Sequence, residues 1–185
     1  MRIALVIEVF LVALVFQSGC AGALLTVGSG PDARFRHREL GYEVAYPSVL
    51  SEPGWSIEKL DDADLLVRHR EGSLWALASN CRETAAGLEL LAGELARAVG
   101  GRKLGPVQPL EQAGLPGIGQ RLEREEDDRR LQIKTVTLRG SRCTYDWVLI
   151  APTPERMELL EPRFDAWLES FEPGPEERPT ESEVP

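Results

Sequence analysis

Two histidines, His37 and His69, are the general-base candidates that this 185-residue chain offers. Hydrolytic chemistry at an imidazole needs a nucleophile and an orienting group within hydrogen-bond reach. The sequence contains neither a Gly-x-Ser-x-Gly elbow nor a His-Glu-x-x-His helix. His69 stands between Arg68 and Arg70 and reads as an exposed strand residue, so a hydrolase has little to build on. Asp61, Asp62 and Asp64 are the place to look for a cation. A calcium loop spreads its ligands over about twelve positions, with a Gly at the bend and a Glu at the end, and that pattern is missing, so a solvated hairpin tip is expected. Gly114-Leu115-Pro116-Gly117-Ile118-Gly119 is no phosphate loop, because no Lys-Ser or Lys-Thr follows it at the required spacing. No catalytic residue, metal or cofactor is expected.

The cysteines carry more information. Ile3 to Phe16 is apolar except for Glu8; it follows Met1-Arg2 and gives way to Gln17-Ser18-Gly19-Cys20. A basic start, an apolar core and a small-residue exit make a secretory signal peptide. The exit resembles the bacterial lipobox, with Gln17 where a Leu is usual, and this implies lipidation on the sulfur of Cys20. The competing readings are a retained membrane helix, which needs about 20 apolar residues and could extend to Val27, and simple secretion. Ala21, after the cysteine, resembles the residues that permit transfer to an outer membrane. Export makes a disulfide between Cys81 and Cys143 plausible, the alternative being two buried thiols on a sheet. Neither cysteine belongs to a closely spaced metal-ligand pair.

The formal charge of −9 argues against nucleic acid, which draws on clustered Lys and Arg. Only Arg34, Arg36, His37 and Arg38 run the other way, as a solvated strand face or a rest on anionic headgroups.

These residues must be positioned by one domain. Residues 1–19 are the expected signal peptide, 20–32 the lipidated cysteine and a flexible spacer rich in Gly and Pro, 33–171 the domain, and 172–185 a disordered acidic tail. Alternation predicts strands over Phe35 to Leu40, Tyr42 to Tyr46, Trp55 to Leu60, Leu65 to Arg70 and Ser73 to Asn80. Glu83 to Gly101 is a helix capped by Thr84, with Leu88, Leu91, Leu95 and Val99 at helical spacing. Val107 to Gln112, Gly117 to Glu125, Arg129 to Leu138 and Ser141 to Ile150 are further strands, and the alternation in the third predicts a sheet with a wetted face. A charged hairpin tip, Arg124 to Arg130, is expected to be solvated. The second helix starts at Thr153-Pro154 and should kink or restart at Pro162. Phe164, Trp167, Leu168 and Phe171 then dock on the sheet.

Gly41-Tyr42 leading to Tyr46-Pro47, Trp55 soon after, and the closing Trp167-Leu168-Glu169-Ser170-Phe171 resemble the PsbP/Mog-like family. That resemblance implies an α+β fold with an antiparallel sheet covered by two main helices, and a non-catalytic role as an extrinsic subunit or partner-binding module. Together with Cys20 it predicts a lipid-anchored interaction module on a cell-envelope membrane. Its expected place is an outer membrane, facing the periplasm, with an unidentified envelope protein as partner. A carrier of a small apolar ligand between sheet and helix is the second reading.

Overall fold

The computed structural model describes residues 24–28, 33–81, 86–126 and 129–175. The expected signal peptide, Cys20, Thr84, Asp127-Asp128 and the tail beyond Pro175 lie outside the described residues. Three short strands, β1 (Leu24–Val27), β2 (Arg34–His37) and β3 (Glu43–Ala45), form a small sheet in the order β1-β2-β3. A larger sheet is built from β4 (Trp55–Glu58), β5 (Leu65–His69), β6 (Leu74–Asn80), β7 (Arg102–Lys103), β8 (Gln108–Gln112), β9 (Leu115–Glu126), β10 (Arg129–Arg139) and β11 (Thr144–Ala151). Its order is β4-β5-β6-β11-β10-β9-β7, with β8 also paired to β9, and every pairing is antiparallel. Two helices complete the α+β fold: α1 (Leu88–Ala98) and α2 (Pro154–Glu169).

Strand side chains alternate between faces, and both faces of the larger sheet are apolar at its centre. Trp75, Leu77, Val136, Leu138, Tyr145, Trp147 and Leu149 share one core with Phe164 and Trp167 of α2 and with Phe35, Tyr42 and Val44 of the small sheet. Leu122, Ile133 and Val148 form a second core with Ala96, lined by Ala76, Ile150, Leu95 and Val99. The wetted face expected for β10 is therefore absent: Leu131, Ile133, Thr135 and Thr137 are buried, as are Val136 and Leu138 behind them. Thr fits there because its methyl group packs as Val does in a pleated surface.

Several boundaries depart from the sequence reading, each for a local reason. Leu24–Val27, expected in the spacer, is a strand whose register runs from Leu24 opposite His37 to Val27 opposite Arg34. α1 begins at Leu88 behind Gly87 and makes no side-chain cap. Ala92 and Ala96 are its buried residues, while Leu91 and Leu95 are half-buried; small residues let the helix axis approach the sheet. α2 is unbroken through Pro162. The hydrogen bond that Pro162 cannot make would have gone to the Glu158 carbonyl. Both residues are on the exposed side of the helix, and the buried aromatic face outweighs the usual cost of about 3 kcal/mol. At the other end Thr153 accepts from the Arg156 amide (3.2 Å) and Pro154 occupies the first turn, as expected. The expected tail is ordered through Pro175: Glu172 exchanges backbone hydrogen bonds with Glu43 (2.9 and 2.8 Å), and Pro173 and Gly174 are buried.

Cys81 and Cys143 are joined by a disulfide, with Cα atoms 4.0 Å apart. Asn80 of β6 lies opposite Thr144 of β11, so the bridge is the next rung of that ladder. Its 62-residue separation corresponds to about 4 kcal/mol of loop-closure entropy in the unfolded chain. Replacing both cysteines by Ala is expected to lower the unfolding free energy by about that amount, read by urea denaturation under non-reducing conditions. At the β8–β9 turn, Ala113 (φ 53°) and Gly114 (φ 79°) both have left-handed backbones, the geometry of a type I′ hairpin that favours Asn-Gly. Ala113→Asn is expected to raise the denaturation midpoint by relieving a strain of about 1 kcal/mol.

Candidate functional site

Both histidines end a strand and begin the same tripeptide, His37-Arg38-Glu39 after β2 and His69-Arg70-Glu71 after β5. Each ring is used alike. His37 Nδ1 accepts the Glu39 and Leu40 amides (3.3 and 3.1 Å), and His69 Nδ1 accepts the Glu71 amide (3.2 Å). An accepting Nδ1 carries no proton, so the neutral ring holds its hydrogen on Nε2. That hydrogen points toward Asp64 in His37, whose Nε2 lies 3.6 Å from Oδ1. The His69 ring packs on Trp55 (centroids 5.1 Å apart). Gly54, with φ +91°, comes so close that a Cβ there would lie 2.8 Å from His69 Nε2. His69 is thus 7% exposed, against the expectation of an exposed strand residue. Period-two alternation places it on the core face with Leu65 and Val67, while Arg68 faces solvent; its charged neighbours concealed this. Within the basic cluster His37 is likewise buried, and Arg36 and Arg38 are exposed.

The three aspartates also divide. Asp61 and Asp62 are exposed as expected, but Asp64 is not a solvated tip residue. Its Oδ2 accepts the Tyr42 hydroxyl at 2.8 Å. Burial opposes ionisation of Asp64, yet hydrogen bonds from His37, Ser79 and Tyr42 together hold its carboxyl below the ordinary value. Burial, and then the charge of Asp64, push the Tyr42 phenol well up. The cluster fastens the small sheet, through His37 and Tyr42, to the β4–β5 loop and to Ser79 of β6. It is a latch without a substrate-facing nucleophile. Among the described residues no group of three or more His, Cys, Asp and Glu side chains could hold a metal ion.

The space that a carrier of an apolar ligand would need, between the larger sheet and α2, is filled. Trp167 stacks on Trp75 (centroids 5.6 Å apart, planes at 26°) and meets Trp147 edge-on at 4.7 Å. Phe164 and Phe171 close the remaining sides, and all five rings are buried. Among the described residues a concavity opens beside α2, a cleft of about 300 Å³ walled by β8, β9, β10 and the helix. Leu110, Val136 and Leu168 contribute its apolar surface. Lys134 Nζ donates to Glu161 (2.9 Å) and Asp165 (2.6 Å), and Arg121 pairs with the other oxygen of Glu161. Glu111, Gln112 and Glu169 complete the rim, where Gln112 donates to the Glu169 carbonyl at 3.1 Å. Sequence reasoning named Leu168 as a packing residue and Glu169 within the closing motif, but marked none of these residues as part of a site. The signal available was Lys134, a charged side chain on the core face of β10, which alternation alone marks as needing partners.

Sheet order, helix placement and closing strand can be set against solved structures. Cyanobacterial PsbP (CyanoP) from Synechocystis sp. PCC 6803 aligns over 84% of this chain and 99% of its own, with a TM-score of 0.56 at 13% identity. The fold is PsbP-like. LpqN of Mycobacterium tuberculosis, a protein involved in cell envelope biogenesis, aligns over 82% of this chain and 91% of its own, with a TM-score of 0.55 at 12% identity. No protein-family model matches the sequence, and no curated protein matches it. At these identities the PsbP-like likeness is one of architecture, and the roles of individual residues rest on the geometry above.

The latch makes a pH-dependent prediction. A carboxyl whose folded pKa is lowered stabilises fully above its unfolded value, about 3.9, and loses that contribution as the pH falls through the folded value. Asp64→Asn is therefore expected to be less stable than the wild type at neutral pH. The two denaturation midpoints should converge below about pH 4, as read by urea titrations across pH.

Proposed function

We propose that this chain is a non-catalytic interaction module, anchored through lipid on Cys20 to a cell-envelope membrane and facing the periplasm from an outer membrane. The observation that carries the non-catalytic reading is the commitment of both imidazoles: each Nδ1 is spent on turn backbone inside a buried pocket, which leaves no accessible imidazole. The filled interior supports contact at the surface over carriage of a ligand. The PsbP-like fold, shared with a protein involved in cell envelope biogenesis, and the lipobox-like Ser18-Gly19-Cys20 support an envelope location. The cleft beside α2 is the surface proposed for an envelope partner. Its rim carboxylates Glu111 and Glu169 enter none of the ion pairs among the described residues, which leaves them to meet cationic side chains.

Intact mass with membrane fractionation tests the anchor in a Gram-negative host. The wild type is expected to be cut before Cys20, to carry acyl mass and to sit in membranes, while Cys20→Ala remains an uncut precursor. If both proteins keep Met1 to Gly19 and stay membrane-bound, the anchor is a helix and the lipid reading fails.

A further inference from the structure

The strand found where a spacer was expected removes the slack between anchor and domain. Cys20 and Leu24 are four Cα steps apart, a reach of at most about 14 Å. β1 is fixed to β2 by four register pairs, so an anchor at Cys20 holds the small sheet within that distance of its lipid. One face of this sheet carries the buried Phe35 and His37. Paired antiparallel residues share a face, so Leu25 lies beside Arg36 and Val27 beside Arg34 on the opposite, outer face.

That outer face differs in character from the rest of the molecule. Leu25 and Val27 are 43% and 44% exposed. Arg36 is exposed beside them, and Arg38 is exposed in the following turn. Arg34 pairs with Glu43 and Glu172, and Arg36 with Glu43. With Glu39 this makes three arginines against three carboxylates, so the formal charge of −9 resides on the remainder of the chain. An anionic bilayer repels that remainder and does not repel this face. Aliphatic side chains beside arginines, with stems that lie along apolar surface and heads that reach phosphate, suit the headgroup boundary.

We propose that the outer face of the small sheet, through Leu25, Val27, Arg36 and Arg38, lies on the lipid headgroup surface and fixes how the domain stands on its membrane. The proposal rests on the anchored reading but is tested apart from it. The protein as extracted from membranes, with its native N-terminus, is reconstituted into phosphatidylethanolamine–phosphatidylglycerol vesicles. A nitroxide is placed at Val27→Cys or, as a control, at Leu90→Cys on α1, on the other side of the larger sheet, where Leu90 is 53% exposed. Relaxation by oxygen, which concentrates in lipid, is compared with relaxation by an aqueous nickel chelate, and intact mass reports the acylation of Cys20. The expected result is an oxygen-to-chelate ratio higher at position 27 than at position 90. If the chelate reaches both positions equally while Cys20 is acylated and the protein stays with the vesicles, the anchor stands and the surface assignment falls. If both reagents are excluded at position 27, a second copy covers the sheet, and the assignment falls as well.

Discussion

The fold depends on one side chain of its last helix. Trp167 lies between Trp75 of β6 and Trp147 of β11, and its indole N–H donates to the Ala45 carbonyl at 3.0 Å. A single ring therefore holds α2, the centre of the larger sheet and the edge of the small sheet in one arrangement. Around it Arg34 reaches the Ser170 carbonyl, the Ser170 hydroxyl accepts the Ala45 amide, and Glu172 pairs with Glu43. Aromatic side chains contribute large buried areas together with a directional preference, so this junction fixes an angle as well as an adhesion. The small sheet buries only one face, so its place on the domain depends on this junction together with the His37–Tyr42–Asp64 cluster.

Polar residues in this molecule act mainly as fasteners. His37 and His69 replace a backbone acceptor at the ends of two strands. Asp64 gathers donors from two sheets, and Lys134 bridges two carboxylates of α2. Each arrangement has the residue types of an active site with the geometry of a joint. What distinguishes them is direction: donors and acceptors point at main chain or at each other.

Patterns confined to one element were legible in the sequence. The alternation of β6 puts Trp75 and Leu77 on one face and Ala76 on the other, and the capping of α2 by Thr153-Pro154 was plain from residue type. What was hidden depended on a partner elsewhere. Leu24–Val27 reads as linker only because Gly28, Gly30 and Pro31 follow it, and it becomes a strand because β2 offers it an edge. Pro162 looks like a break because sequence does not say that Glu158, whose carbonyl it orphans, faces solvent. Asp64 resembles Asp61 and Asp62 until Tyr42, 22 positions earlier, is brought to it. The cleft was invisible for the same reason, since its walls come from β8, β9, β10 and α2.

The strand order carries a consequence for how the chain acquires its shape. β11, the last strand to be synthesised, is inserted between β6 and β10 at the middle of the sheet. Until residues 144–151 arrive, β6 and β10 present unpaired edges, and neither core has its central layer. Such non-local closure is slow and leaves intermediates prone to association. The sheet is therefore completed only when nearly the whole length of the chain is available. The Cys81–Cys143 bridge continues the β6–β11 ladder, so it ties that last strand to the sheet where it is seated.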